Sequence, residues 1–164
     1  MTTRKKLTFN QDDEWNTPNE IWEQIKDYLP KDKIIFEAFL LNNTSSRSVQ
    51  ILRDLGCNVI GDSTINFFNS SHINYDVIVS NPPYSIKKKI FTELARIDKP
   101  FILILPISTI SKQFVKVLTR EKIQLIIPSK RLQFCKGTDQ LNRCWFDCVF
   151  FCYKMELVND ITFI

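Results

Sequence analysis

Short apolar runs alternate along this chain with segments of helical periodicity, and this alternation limits the folds open to the chain more than any other feature. Strands are predicted at five runs: Ile34–Phe36, Cys57–Ile60, Asp76–Ser80, Phe101–Leu105 and Ile123–Ile127. Phe101–Leu105 is apolar at every position, which is typical of a strand buried on both faces of a parallel sheet. Strands that alternate with helices predict a doubly wound, Rossmann-like α/β sheet.

Amphipathic helices are predicted before the first strand, at residues 18–29, and between later strands, at residues 46–55, 85–97 and 111–118. For the first of them, Thr17 is the predicted N-cap, Pro18 the first helical residue and Glu20 the partner that completes a capping box. Near the carboxyl end, Arg131–Cys135 and Trp145–Tyr153 predict an antiparallel hairpin at one edge of the sheet.

The length of 164 residues predicts a single domain over residues 15–164, preceded by a polar and flexible segment, residues 1–14. No apolar run approaches the roughly 20 residues that span a membrane, and the basic amino terminus lacks the apolar stretch of a secretory signal. Five cysteines without an export signal predict reduced thiols. We therefore expect an intracellular protein that makes no membrane contact.

Glycine is scarce, and this excludes whole classes of nucleotide site. A glycine-rich phosphate or dinucleotide loop cannot form, because the chain has only Gly56, Gly61 and Gly137. No metal site is predicted either. The cysteines at 144, 148 and 152 share one face of a strand-like run, and no Cys-x-x-Cys pair is present.

The most informative segment is Asn81-Pro82-Pro83-Tyr84, which directly follows the predicted strand Asp76–Ser80. Ligands of open α/β sheets bind at the carboxyl ends of strands. Asn81 offers a side-chain carbonyl as acceptor, the two prolines hold backbone carbonyls in an extended turn, and Tyr84 offers a flat aromatic face. This set suits a planar ring that carries an exocyclic amine. All four residues are therefore predicted to be catalytic, with a purely structural tight turn as the alternative.

The segment Asp76–Tyr84 resembles the catalytic motif of amino-group N-methyltransferases that depend on S-adenosylmethionine, above all those that methylate N6 of adenine. Glu14–Pro18 is similar to the Trp-x-Thr-Pro segment of the compact phage and viral members. Arg131–Phe134 and Trp145–Phe150 are similar to their closing hairpin. The resemblance covers most of the chain. It implies a class I methyltransferase fold, S-adenosylmethionine as cofactor, and DNA or else RNA as substrate.

The resemblance also implies which residues contact the methyl donor: Trp15, Asn16, Thr17, Pro18, Glu37, Phe39, Asp62 and Phe67. Asp62 would accept hydrogen bonds from the ribose hydroxyls, unless it is a solvated turn aspartate. Phe67, or its neighbour Phe68, would stack on the adenine of the donor, unless both belong to the core.

One stretch departs from the family pattern. Where the family has a glycine-rich turn after its acidic residue, this chain has Leu41 and Asn43 at the glycine positions. Asparagine tolerates a left-handed backbone, but the Leu41 side chain would crowd the approach of the backbone to the donor. A degenerate fold that serves as a nucleic-acid-binding or partner subunit is therefore a second hypothesis. A protein glutamine N-methyltransferase ranks last, because those enzymes usually carry an additional amino-terminal helical domain.

The source of substrate selection stays open. No segment is plainly devoted to base readout, so specificity is low, or a homo- or hetero-oligomeric partner supplies it, or the loops 63–75 and 136–144 do. The run Lys87–Lys89 either contacts phosphates or forms a solvated helix face, and the net charge of +4 permits both.

Overall fold

The computed structural model of the chain describes residues 15–40, 46–136, 141–142 and 146–164. The segment 1–14, which the sequence predicts to be flexible, lies outside these ranges, as do Leu41 and Asn43 of the altered cofactor loop. Within the described part, no helix is both long enough and apolar enough to cross a membrane.

Seven strands of the described part form one sheet, and they are numbered here in chain order. From one edge to the other they are β10 (Ile161–Phe163), β6 (Ile123–Ile127), β9 (Cys148–Tyr153), β5 (Phe101–Pro106), β4 (Val77–Ser80), β2 (Ile34–Phe36) and β3 (Asn58–Ile60). Neighbouring strands are parallel except at β9, which is antiparallel to both β5 and β6. This order confirms the predicted doubly wound α/β sheet.

The strand pairing predicted for the edge hairpin is wrong. The run that contains β9 does not pair with Arg131–Cys135 but lies inside the sheet, where Phe101 of β5 is opposite Tyr153 and Ile126 of β6 is opposite Phe150. All six residues of β9 are buried, and a strand buried on both faces is typical of a sheet interior. Strand β10, which the sequence analysis did not predict, extends the sheet beyond β6.

A second, smaller sheet contains the other half of the predicted hairpin. Strand β7 (Phe134–Lys136) lies between β1 (Trp15–Asn16) and β8 (Leu141–Asn142), antiparallel to both. Asn16 is opposite Cys135 in this pairing. The amino-terminal Trp-x-Thr-Pro segment is thereby attached to the carboxyl-terminal third of the chain, although the two are far apart in sequence.

Helices cover both faces of the large sheet. Helices α1 (Asn19–Gln24) and α2 (Ser46–Asp54) pack on one face, and α3 (Lys87–Ile97) packs on the other, where Phe91 and Leu94 meet the apolar residues of β4 and β5. Alternate residues of each central strand enter the two cores, as the two-residue period of a strand requires. Ile35 belongs to the first core and Phe36 to the second.

Two local predictions are wrong. The helix predicted at 111–118 is a pair of 3₁₀ turns, Ile107–Ser111 and Gln113–Val117, separated by an extended Lys112. The buried Val115 and Leu118 are three residues apart, a spacing that 3₁₀ turns satisfy as well as an α-helix does. Thr17 is not an N-cap either, because Pro18 occupies that position and no side chain caps α1.

Candidate active site

The Asn81-Pro82-Pro83-Tyr84 turn lies at the carboxyl end of β4, an interior strand of the sheet. Its neighbours are β2 on one side and β5 on the other. The chain proceeds from β2 outward to β3, and then returns to β4 on the opposite side of β2, so the strand order reverses between β2 and β4. Such a reversal opens a crevice at the carboxyl ends of the strands. Glu37 follows β2 and Asn81 follows β4, which places both residues beside this crevice.

Both ends of the Asn81 side-chain amide are hydrogen-bonded. Its Nδ2 donates to Thr17 Oγ1 over 3.1 Å, and its Oδ1 accepts from the Tyr84 hydroxyl over 3.0 Å. Asn81 is half-buried, while Pro82 and Pro83 are buried. A carbonyl oxygen has two lone pairs, so Asn81 Oδ1 retains one acceptor position besides the bond from Tyr84.

Tyr84 has further contacts besides its bond to Asn81. The edge of its ring meets Phe146, with the ring centroids 5.3 Å apart and the planes at 68°, and Lys87 Nζ lies 5.4 Å from its centroid. Its hydroxyl also lies 3.6 Å from Cys148 Sγ at the start of β9. Sequence reasoning did not connect Tyr84 with Phe146 or Cys148, because only the placement of β9 next to β5 brings them together.

Glu37 connects the ends of β2 and β4. Its carboxylate is buried and accepts a short hydrogen bond from Ser80 Oγ, the last residue of β4, and a longer one of 3.4 Å from the Phe39 backbone N–H. Burial raises the pKa of Glu37 to about 7, although the hydrogen bonds from Ser80 and Phe39 act in the opposite direction. Sequence reasoning missed Ser80, and the signal was its polarity in an otherwise apolar strand.

Phe39 and Phe67 lie in the core rather than in an open crevice. Their ring centroids are 4.7 Å apart, and Phe67 is fully buried. Asn66 fixes the turn that follows it, since its Oδ1 accepts from the Phe68 N–H over 3.0 Å. Phe68, by contrast, is only half-buried and carries Lys89 Nζ at 4.1 Å from its centroid. In this structure, Phe68 therefore has the more accessible ring of the pair.

Asp62 lies exposed just beyond β3, next to the end of β2. Its Oδ1 accepts from the Thr64 N–H over 2.7 Å, and this bond holds the pKa of Asp62 below its usual value. The preceding Gly61 packs tightly on Glu37, because a Cβ at Gly61 would lie 2.9 Å from the Glu37 carbonyl oxygen. Asp62 is therefore an ionised, oriented carboxylate one residue from a close contact between β2 and β3.

The predicted donor segment Trp15-Asn16-Thr17-Pro18 reaches the site through β1. The pairing of β1 with β7 places Thr17 against Asn81, and both Thr17 and Pro18 are buried. The structure thus brings Thr17, Glu37 and the four residues of the turn to the end of β4. Asp62 lies farther away, after β3, which is separated from β4 by β2. Phe67 is inside the core.

Comparisons with known proteins add little to this geometry. No family model matches the chain, and no curated protein matches it. Among solved structures, a precorrin-6y C5,15-methyltransferase from Geobacter metallireducens is similar over 90% of this chain and 100% of its own, with 12% identity and a TM-score of 0.45. This similarity is too weak to assign a fold or a function. The fold is assigned from the strand order, and the function is proposed from the geometry of the site.

Proposed function

We propose that the chain transfers a methyl group from S-adenosylmethionine to the N6 amino group of adenine in DNA. The observation that carries this proposal is the Asn81 side-chain carbonyl at the carboxyl end of the interior strand β4, with the Tyr84 ring beside it. An acceptor next to an aromatic ring, at the point where the strand order reverses, suits a flipped-out aminated base.

The Asn81 and Pro82 carbonyls would accept the two protons of the target amine. Hydrogen bonds to both protons localise the lone pair of the nitrogen and aim it away from the ring, which makes a weak nucleophile competent. Pro82 and Pro83 have fixed φ angles and no N–H group, so they hold this geometry without a competing donor. Tyr84 would stack on the base, and its hydroxyl already fixes Asn81 Oδ1 over 3.0 Å.

Two carboxylates are the proposed contacts to the methyl donor. Asp62 is exposed and ionised and would accept from the ribose hydroxyls, while Glu37, which accepts from Ser80, would support the end of β2. When bound, S-adenosylmethionine would supply an electrophilic methyl group, and its sulfur would leave as a neutral thioether. The amine nitrogen forms the new bond with its lone pair and then releases one proton to water.

A second candidate function is a non-catalytic subunit that binds nucleic acid or a partner protein. The observation in its favour is that both ends of the Asn81 amide already form hydrogen bonds within the chain, to Thr17 and from Tyr84. Phe67, the predicted platform for the donor's adenine, is likewise fully buried.

Calorimetric titration with S-adenosylmethionine separates these two functions. We expect heat of binding for the wild type, followed by transfer of a tritiated methyl group to DNA that contains adenine. Asn81→Ala should abolish transfer and leave donor affinity nearly unchanged, because Asn81 contacts the target and not the donor. Asn58→Ala, at the exposed start of β3, is the matched control and should behave as wild type. The absence of any heat of binding at millimolar S-adenosylmethionine would refute the enzymatic function.

A further inference from the structure

Three consecutive lysines, Lys87–Lys89, form the first turn of α3 and are called the lysine strip below. Successive residues of an α-helix are rotated by about 100°, so three side chains fan out over roughly 200° of the helix surface. At one end of the fan, Lys87 Nζ lies 5.4 Å from the centroid of the Tyr84 ring. At the other end, Lys89 Nζ lies 4.1 Å from the centroid of the Phe68 ring. The strip therefore extends from the catalytic turn to the loop after β3.

The charges of Lys88 and Lys89 do not serve the stability of α3. Cations at a helix amino terminus oppose the helix dipole, and the first turn of α3 contains no acidic residue to offset them. The acidic residue of α3, Glu93, is engaged by Arg96 over 2.6 and 3.0 Å. Among the described residues, no carboxylate forms an ion pair with Lys88 or Lys89. Such locally unfavourable charges indicate a function outside the helix.

Aromatic rings accompany these charges. Phe68 and Tyr84 are both half-buried, so part of each ring reaches the surface beside a lysine. The contact of Lys89 with Phe68 is a cation–π pair, which restrains the ammonium group while leaving Lys89 exposed. Cationic side chains interleaved with aromatic rings are what proteins use to follow a nucleic-acid strand. A polyanion therefore complements this surface in both charge and chemistry.

We infer that the lysine strip binds the phosphodiester backbone of the DNA strand that carries the target adenine, on the Phe68 side of the catalytic turn. This inference rests on the function proposed above and adds the path of the substrate strand. Phosphate contacts fix the position of a strand without reading its bases, so the strip positions the target and leaves sequence selection to other residues.

The test is the salt dependence of DNA binding. Fluorescence anisotropy with a single-stranded DNA oligonucleotide containing adenine gives log K against log salt for the wild type and for Lys88→Gln/Lys89→Gln. Each lost phosphate contact on a single strand makes the slope shallower by about 0.7, so the double variant should lose roughly 1.4. Its thermal midpoint should not fall, because glutamine removes the unfavourable charge from the first turn. Lys87 is left intact because it lies beside the proposed catalytic Tyr84.

The matched control is Lys33→Gln/Lys122→Gln. Lys33 directly precedes β2 and Lys122 directly precedes β6. Both therefore lie at the amino ends of parallel strands, whereas Asn81 lies at the carboxyl end of β4. This variant removes the same charge and should keep the wild-type slope. Equal slopes for wild type and the strip variant would overturn the inference, and so would equal losses in both double variants.

Methyl transfer measured in parallel separates this inference from the proposed function. The strip variant should raise KM for the oligonucleotide about tenfold while kcat changes little. If the wild type transfers methyl groups and the strip variant has the same KM, the lysine strip does not bind the substrate strand, while the proposed methyltransferase function stands. If DNA binding depends on the lysine strip but no methyl group is transferred, the proposed methyltransferase function is refuted and the lysine strip remains a DNA contact. Binding of RNA of the same sequence at least tenfold more tightly overturns DNA as the occupant.

Discussion

The Thr17 hydroxyl accepts a hydrogen bond of 3.1 Å from the Asn81 side-chain amide, although 64 positions separate the two residues in the chain. Thr17 is buried, and its segment is anchored to β7 by the pairing of β1. The bond fixes which end of the Asn81 amide faces Thr17, and therefore directs Oδ1 to the other side, where Tyr84 meets it. Thr17 is thus a positioning residue for the proposed acceptor.

Replacing Thr17 tests this role. Thr17→Val keeps the shape of the side chain but leaves Asn81 Nδ2 without its partner, which costs about 1 kcal/mol and frees the amide to rotate. We expect kcat to fall about tenfold while the donor affinity stays within twofold. Thr17→Ser retains the hydroxyl and should restore kcat. A loss of donor affinity in Thr17→Val with unchanged kcat would instead assign Thr17 to the donor site.

The Tyr84 hydroxyl and the Tyr84 ring have separable roles. Tyr84→Phe removes the donor to Asn81 Oδ1 but keeps the ring against Phe146, so we expect kcat/KM within about threefold of wild type. Tyr84→Leu removes the aromatic face as well, and the lost stacking of about 1–3 kcal/mol should lower kcat/KM by about 5- to 150-fold. Steady-state transfer kinetics on an adenine-containing oligonucleotide measure both. Equal effects of the two substitutions would contradict a stacking role for the ring.

The alternation of apolar runs and helices was sufficient to predict the layered fold, because burial on both faces shows directly in a run such as Phe101–Pro106. It was not sufficient to place β9. The apolar run Cys148–Tyr153 indicates a buried strand but not which strands lie beside it, and that choice is made by pairing over long sequence separations. The 3₁₀ turns were missed because the burial of Val115 and Leu118 is compatible with either helix type.

The same distinction separates the parts of the site. The Asn81–Tyr84 turn is contiguous, so its chemistry is visible in four letters of sequence. The two hydrogen bonds that support it, from Asn81 to Thr17 and from Ser80 to Glu37, span 64 and 43 positions. They exist only because β1 pairs with β7 and β2 pairs with β4. The sequence analysis predicted Thr17 as a helix N-cap, because a threonine followed by a proline and, three residues later, a glutamate fits the capping pattern. That local pattern contains no sign of the bond to Asn81.

Glu37 should make the stability of the fold depend on pH. Its pKa is raised from 4.5 to about 7, so between these values the folded chain holds a proton that the unfolded chain has released. This contribution to the free energy of unfolding is complete below pH 4.5 and is lost as pH rises through about 7. The difference is on the order of 3 kcal/mol, at 1.36 kcal/mol per pKa unit.

Urea unfolding of Glu37→Gln at pH 5 and pH 8 measures this contribution. Glutamine cannot ionise, yet its Oε1 still accepts from Ser80, so the variant should gain stability relative to wild type as pH rises. Glu121→Gln, in the exposed 3₁₀ turn before β6, should retain the wild-type pH dependence. Parallel pH profiles for wild type and Glu37→Gln would mean that the buried carboxyl titrates at its ordinary value.

Gly61 should be needed for its lack of a side chain, and not for its backbone angles. An alanine Cβ there would lie 2.9 Å from the Glu37 carbonyl oxygen and 3.1 Å from Val49 Cγ2, so the end of β2 must move. Gly61→Ala should therefore destabilise the fold by about 1–3 kcal/mol and weaken donor binding, because Glu37 shifts with its backbone. Thermal unfolding and calorimetry report the two effects.

Gly56→Ala is the matched comparison for Gly61→Ala. Gly56 has φ of +87° and open space around its Cβ position, so alanine introduces backbone strain of about 1–2 kcal/mol without pushing any neighbour. We expect Gly56→Ala to lower the thermal midpoint while donor affinity stays at the wild-type value. Of these two variants, only Gly61→Ala should affect both quantities, because Gly61 lies against Glu37, which joins β2 to β4. Loss of donor affinity in both variants would show that global destabilisation, and not the contact with Glu37, weakens the donor site.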